Sequence, residues 1–419
     1  MSGNPHVVVC GAGVIGLCCA YSLRQRGFAV TVVERNPADR DGCSFGNAGM
    51  IVPSHFVPLA APGMVALGLK WMLNPRSPFY IRPRLSAELI GWGLRFMQAC
   101  NAGHVARAAP LLRDLNFASR ERYVQLAATL PDDFGLVPRG LLMLCRDEET
   151  LVHEAAFAAR ARDLGVPAEV CTAARAAELD PGVRMSIAGA IYFPRDAHLS
   201  PSRFVTALTR ALVAAGVDFR WQTEVTGWRT EGRRIIAAQT PAGDLSADEF
   251  VLAGGAWSPG MVRPLRLRLP MQAGKGYSLT LTRPRQLPEL CSIFSEARVA
   301  VTPMGSTLRI GGTMEIVGLD ESIQRNRVEG IIAAVPHYFP EFKPADFRDV
   351  PAWRGLRPCA PDGLPYVGRF AAYGNLTAAT AHAMMGLSLA PITGQLVGEI
   401  IAGEPPSHSI GQLSPDRYA

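Results

Sequence analysis

Three glycines and one carboxylate carry the first chemistry legible in this chain. In the run from His6 to Glu34 the glycines fall in Gly11-Ala12-Gly13-Val14-Ile15-Gly16, and Glu34 follows 18 residues after the last of them. Gly11 suits a tight strand-to-helix turn, Gly13 lets the backbone approach a diphosphate, and Gly16 lets a helix lie close on a strand. Backbone N–H groups at the helix start, helped by the helix dipole, receive the negative charge. A carboxylate at Glu34 can accept hydrogen bonds from ribose hydroxyls, so the expected chemistry is recognition of a dinucleotide. An acid there, rather than an arginine, favours an unphosphorylated ribose, and so FAD or NAD over NADP.

In a chain with 41 glycines the spacing alone is weak, so the elements that position it must support it. Val7 to Cys10 is an apolar strand-like run, a helix-compatible stretch continues to Arg26, Gly27 ends it, and Ala29 to Val33 forms a second strand. Strand, helix, strand and acid in register make a Rossmann-like βαβ unit. The loop from Asp41 to Met50, rich in Gly, Ser and Asn, suits either close backbone approach to a ligand or an ordinary surface turn. Residues 53 to 83 form a proline-rich excursion around a short helix, Met64 to Leu73.

Helical patterns follow at roughly 85 to 100, 105 to 130 and 147 to 164, the last capped by Asp147 and ended by Gly165. Ser200-Pro201 opens another, running to Gly216. Strands near 218 to 221, 234 to 239 and 248 to 252 lead to Ala253-Gly254-Gly255-Ala256, a return to strand-then-glycine that suggests re-entry into the nucleotide domain. From Lys275 to Ile316 the alternation predicts an antiparallel sheet, the floor of a substrate site. A helix near 322 to 335, a strand from Asn375 to Thr380 and a terminal helix from about Leu387 complete the chain. The fold class expected is α/β, α+β overall.

At 419 residues and 48% apolar content the chain has material for two or three domains with a substantial core. A net charge of +6 without a run of five basic residues argues against nucleic acid as a partner. Nine cysteines form no CxxC pair and suit a reducing, cytoplasmic setting. Neither a metal-ligand cluster nor a catalytic triad is expected, nor an uninterrupted apolar run of membrane-spanning length.

Several further stretches carry a resemblance. Besides VVVCGAGVIG with Glu34-Arg35, they are Ser44-Phe-Gly-Asn-Ala-Gly-Met50, Lys275-Gly-Tyr-Ser278, Arg309-Ile-Gly-Gly-Thr-Met-Glu315, Gly355-Leu-Arg-Pro-Cys-Ala-Pro-Asp-Gly-Leu-Pro-Tyr-Val-Gly368, Asn375-Leu and Ala381-His-Ala-Met-Met-Gly386. Together they resemble FAD-dependent D-amino-acid dehydrogenases of the D-amino-acid oxidase and glycine oxidase superfamily, over nearly the whole chain. The resemblance implies an FAD-binding domain from residues 1–56, 190–262 and 353–419, and a substrate domain from 57–189 and 263–352 with a mixed, largely antiparallel sheet. It implies FAD contacts at Gly11, Gly13, Val14, Ile15 and Gly16, at Glu34 and Arg35, and at Ser44, Asn47, Ala48, Gly49 and Met50. Further contacts are implied at Val225, Gly254 and Gly255, and at Met384, Gly386, Leu387 and Ser388.

Within the resemblance Arg357 stands where such enzymes bind the substrate carboxylate, a role its guanidinium fork suits. Tyr277 is the second candidate for a carboxylate or amine contact, with a core tyrosine as the alternative. His55 and His382 flank the flavin segments; His382 is favoured for a flavin-side contact, and His55 fits a loop histidine equally well. Some relatives attach FAD through a histidine just before the N-terminal Ala-Gly, where Gly46 and Asn47 stand here. Others use a cysteine seven residues before the Asp of the C-terminal motif, where Gly355 stands, so non-covalent FAD is expected.

The implied reaction is oxidation of the Cα–N bond of a D-amino acid to an imine, with a quinone, an electron-transfer protein or oxygen as acceptor. The stretch SFGNAGMIVPSHFVPLAAPGMV is most similar to bacterial enzymes acting on cis-4-hydroxy-D-proline or D-proline. A broad D-amino-acid dehydrogenase, a glycine or sarcosine oxidase, and a flavin-bearing electron-transfer subunit remain as alternatives. The expected location is cytoplasmic, with contact to the inner membrane face or a partner subunit left open.

Overall fold

The computed structural model describes residues 4–72, 74 and 76–419. Leu73, the last residue of the helix expected from Met64, and Pro75, in the proline-rich excursion, lie outside them. A six-stranded sheet gathers distant parts of the chain in the order Tyr366–Phe370, Tyr373–Thr380, Glu249–Leu252, His6–Cys10, Ala29–Val33, Asp218–Arg220. All its pairs are parallel except the first, a hairpin. Its central strands read as continuous apolar runs, as strands covered on both faces must. Val7, Val8 and Val9 are fully buried.

Helix Val14–Gln25 connects the first two parallel strands and packs between helices Pro201–Ala214 and Ala390–Ala402. Leu17, Leu23, Leu208 and Leu396 share one buried cluster there. The sharp entry to the helix depends on glycine at two places. Gly11 has φ +120°, and a Cβ on it would fall 2.5 Å from the Ala253 carbonyl oxygen. A Cβ on Gly16 would fall 1.9 Å from the Gly11 carbonyl oxygen, so any side chain there pushes helix from strand.

The second large sheet has nine strands. Its path is Ala352–Cys359, Gln272–Leu281, Thr307–Ile316, Val299–Met304, Cys291–Phe294, Leu141–Cys145, Gly189–Phe193, Glu169–Thr172, with Phe79–Ile81 paired beside Thr307–Ile316. It is mixed: Cys291–Phe294 runs parallel to Leu141–Cys145, and most other pairs are antiparallel. Strands Gly189–Phe193 and Ala352–Cys359 belong to this sheet, so sheet membership runs past the expected segment edges at 190 and 353.

The helices expected from periodicity occur as Met64–Met72, Ala87–Ala99, Ala102–Thr129, Glu148–Asp163, Pro201–Ala214, Arg325–Tyr338 and Ala390–Ala402. Asp147 caps its helix by accepting from the Thr150 amide at 2.8 Å. Ser200 is the N-cap of Pro201–Ala214, but its side chain makes no capping bond; proline at the first turn fixes the backbone instead.

Candidate active site

The glycine turn, the end of strand Ala29–Val33 and the turn after Glu249–Leu252 open into one cavity. At its first end the Ala12 amide donates to the Glu34 carboxylate at 2.9 Å, and Glu34 also accepts from the Asn36 amide and side chain at 3.0 and 2.9 Å. The Val14 amide donates to Ser44 Oγ at 2.9 Å. Arg40 crosses this end, donating to the Ala12 carbonyl, and burial lowers its pKa while Glu34 opposes the shift. Arg35 lies 3.7 Å over the Trp257 ring. The wall therefore combines helix-start amides, a ribose-type acceptor, a cation and an aromatic plane, a donor set suited to a dinucleotide.

The other end is built by strand Ala352–Cys359 and the turn after Tyr373–Thr380. Arg357 is half-buried there; its Nη1 donates to the Thr313 carbonyl at 2.7 Å. The guanidinium occupies the space above Gly276, where a Cβ would lie 2.2 Å from Nη1. Loss of water lowers its pKa, and the groups that oppose the shift are the thiols of Cys43 and Cys359 rather than a carboxylate. His382 is buried with Nε2 2.9 Å from Thr393 Oγ1, and its Nδ1 has no partner among the described residues. Burial drops its pKa to about 3, so the ring is neutral.

Of the residues singled out from sequence, Gly11, Gly13, Val14, Ile15, Glu34, Arg35, Ser44 and Asn47 line this cavity. So do Val225, Gly254, Gly255, Arg357, His382, Gly386 and Leu387. Gly16 sits beneath, between helix and strand. Ala48, Gly49 and Met50 continue the loop behind Asn47, with Met50 paired to His198. Met384 points outward, 48% exposed, and Ser388 accepts from the Val52 amide at 3.0 Å away from the cavity wall.

Tyr277 and His55 also stand apart from it. Neighbouring residues of a strand face opposite ways, and Tyr277 follows Gly276, which faces Arg357. Its hydroxyl donates to Glu315 in a buried cluster where Lys275 Nζ lies 3.8 Å and Arg327 Nε 3.3 Å from the same carboxylate. His55 Nδ1 is 3.0 Å from Ser54 Oγ, which donates to Asp196 at 2.5 Å. Burial, with Arg298 adding to it, lowers His55 to about 4; burial raises Asp196 to about 7.

Arg40, in a loop, and Trp257, in the short 3-10 helix Gly255–Trp257, carry no spacing signal in the sequence. Arg309 falls in a matched stretch, and the sequence gives it no role. Its Nη1 donates to the carbonyls of Phe45 and Asn47 at 2.8 and 2.9 Å, and Ser278 Oγ donates to Gly46 O at 3.0 Å. The nine-stranded sheet thus pins the Gly/Ser/Asn loop against the glycine turn.

A family model described as FAD dependent oxidoreductase matches residues 6–400. The chain is 32% identical over 422 residues to a D-amino acid dehydrogenase of Granulibacter bethesdensis, covering 99% of this chain and 100% of that one. A crystal structure of glycine oxidase from Geobacillus kaustophilus superposes with TM-score 0.78 at 24% identity, over 99% of this chain and 100% of that chain. One of L-proline dehydrogenase from P. horikoshii does so with TM-score 0.75 at 18% identity, over 100% and 98%.

Proposed function

From the premise that the chain belongs to the family of FAD-dependent oxidoreductases, we propose that it oxidises the Cα–N bond of a D-amino acid, a cyclic one such as cis-4-hydroxy-D-proline or D-proline. The observation that carries this reading is Arg357, a cation in the wall of the dinucleotide cavity with a backbone carbonyl and no carboxylate for company. The names of curated relatives, D-amino acid dehydrogenases at 32% identity or above over nearly the full chain, support the amino-acid class. The cyclic substrate rests on the resemblance of residues 44–65 alone.

When bound, FAD would supply two-electron oxidation of the substrate's Cα–N bond, leaving an imine. Arg357 receives the substrate carboxylate through the N–H groups not committed to Thr313, by two charge-assisted bonds that fix the orientation of Cα. Gly274 and Gly276 leave the floor beside it without side chains. Glu34 holds ribose hydroxyls, Arg40 offsets diphosphate charge, and Arg309 keeps the Phe45–Asn47 loop in place. His382, in the C-terminal turn that lines the cavity, would stand beside the bound cofactor as a neutral ring. Tyr277 acts from the opposite face, fixing the strand that carries Gly276, and His55 orders the Ser54–Asp196 turn.

The test is kcat/KM with a dye acceptor for D- and L-proline and cis-4-hydroxy-D-proline. A clear preference for the D forms is expected, because inverting Cα on a fixed carboxylate anchor turns its hydrogen away from the oxidant. Preference for L-proline would overturn the stereochemical assignment, and oxygen uptake at full rate without dye would make the enzyme an oxidase. A purified chain with bound flavin but no turnover of any amino acid would favour an electron-transfer subunit.

A further inference from the structure

Strand Thr307–Ile316 carries one residue more than its neighbour matches. Against Gln272–Leu281 it pairs Ile316 with Gly274, Glu315 with Lys275 and Gly312 with Tyr277. Gly276 therefore faces two residues, Thr313 and Met314, and the strand bulges there. Thr313 has φ +69°, and among the described residues it is the only β-branched one with positive φ, a conformation that crowds a branched Cβ. Such strain persists only where the surroundings enforce it. Here Glu315, two residues on, is held by Lys275 and Arg327, and the Met314 amide donates to the Pro78 carbonyl at 2.7 Å.

The bulge acts on Arg357. Thr313 offers its carbonyl and not its side chain: the oxygen accepts from Arg357 Nη1 at 2.7 Å, while the side chain lines a separate cleft with Val299 and Ile331. On the facing strand Gly276 leaves the guanidinium its place. A Cβ there would fall 2.2 Å from Nη1, 2.3 Å from Nη2 and 2.4 Å from Cζ, far inside contact distance. One irregularity in the sheet thus supplies the carbonyl that holds the guanidinium and, opposite it, the bare backbone on which the planar group lies.

We propose that Thr313 and Gly276 are positioning residues for Arg357, Thr313 by aiming its backbone carbonyl and Gly276 by lacking a side chain, so that the remaining N–H groups meet a substrate carboxylate. This rests on the reading of Arg357 as the carboxylate anchor. A guanidinium held by one nitrogen presents a fixed fork, and a bidentate pair depends on that geometry. The strained backbone of Thr313 is then part of the binding site although its side chain stands outside the cavity.

The test titrates the flavin absorbance of the full-length, FAD-loaded protein with pyrrole-2-carboxylate and with its uncharged amide, pyrrole-2-carboxamide. Thr313→Pro, whose ring fixes φ at about −65°, cannot keep the bulge, and Gly276→Ala displaces the guanidinium. Each should weaken carboxylate binding about ten-fold or more and leave carboxamide binding within about three-fold of wild type. Thr313→Asn, which tolerates positive φ, should bind the carboxylate within about three-fold of wild type. In the Gly276→Ala background Arg357→Lys should cost far less than it does alone, because the fork is already out of place. Additive costs in that cycle, or wild-type carboxylate affinity in both Thr313→Pro and Gly276→Ala, would overturn the positioning and leave the anchor standing. Wild-type affinity in Arg357→Lys, or equal binding of the two probes by wild type, would overturn the anchor and the positioning with it. If Thr313→Pro does not retain FAD, Gly276→Ala and its cycle with Arg357→Lys decide.

Discussion

Strand Gln272–Leu281 separates two cations with opposite surroundings. On one side Lys275, fully buried, has Glu315 at 3.8 Å and Asp320 at 3.6 Å, and Arg327 joins Glu315 at 3.3 Å. On the other, Arg357 has one protein carbonyl and an open cavity. Charge withdrawn from water must be answered by charge or hydrogen bonds. Where the protein supplies the answer, the arrangement holds strands together; beside Arg357 the cavity leaves room for the anion that the proposed reading assigns to a ligand.

The largest expected effect breaks the structural side. Glu315→Gln leaves Lys275 and Arg327 buried against a neutral group, which should cost about 3–5 kcal/mol of stability. Denaturant unfolding of the flavin-loaded protein measures it, and a loss below about 1 kcal/mol would show that the cluster is not sustained by that carboxylate. On the binding side, Arg357→Lys keeps the charge and loses the fork. A loss of about 2–4 kcal/mol in kcat/KM is expected, with Arg357→Ala worse. Neither should lower the unfolding midpoint, since no protein carboxylate is orphaned. A variant that loses stability as Glu315→Gln does, with near-normal kinetics, would move Arg357 to the structural class.

Glu34 sharpens the comparison from a third position, because it already accepts from Ala12 and Asn36 and would accept ribose hydroxyls as well. Glu34→Ala should cost about 1.5–3 kcal/mol in FAD affinity, roughly ten- to a hundred-fold. Titration of apoprotein with FAD measures it, and unchanged affinity would remove Glu34 from the ribose. Acid precipitation of wild type should release all flavin to the supernatant, as Gly46, Asn47 and Gly355 offer no attachment atom; a yellow pellet would contradict this.

What the sequence made legible was local. The βαβ unit could be read because strand, glycine turn, helix and acid follow one another within 29 residues, and amphipathic helices announce themselves by period. Strand Ala352–Cys359 did not, because Arg354, Gly355, Arg357 and Pro358 break any apolar alternation; its partner lies some 80 residues earlier, at Gln272–Leu281. Leu141–Cys145, five buried residues without alternation, reads equally as helix or strand. Which side of the sheet Tyr277 faces was beyond reach too. A register irregularity falls between Lys275 and Tyr277 in the pairing with Thr307–Ile316, and counting residues does not reveal one. Arg40 and Arg309 gained roles only once distant backbone carbonyls were brought to them.

The smallest expected effect concerns pH, because titrations of buried groups oppose one another. Burial raises Asp196 from its ordinary 3.8 to about 7. The folded state therefore holds a proton that the unfolded chain gives up, and the stability from this group is present below about pH 4 and lost as pH rises to about 7. His55 and His198 are lowered by burial from 6.5 to about 4. For them the unfolded chain binds more protons across that window, so stability rises with pH from about 4 to 6.5. His382, lowered by burial to about 3, adds a third rising slope, so the single falling slope is outweighed and wild-type stability should rise with pH between about 4.5 and 6.5. Asp196→Asn removes the falling slope and keeps a hydrogen-bond acceptor for Ser54, so its stability should climb with pH more steeply than that of wild type through that window. Unfolding midpoints of both proteins, measured at several pH values in one buffer series, decide it. Parallel profiles would mean that Asp196 stays ionised beside Ser54, making the Ser54–Asp196 turn a charged anchor like Glu315 rather than a neutral one.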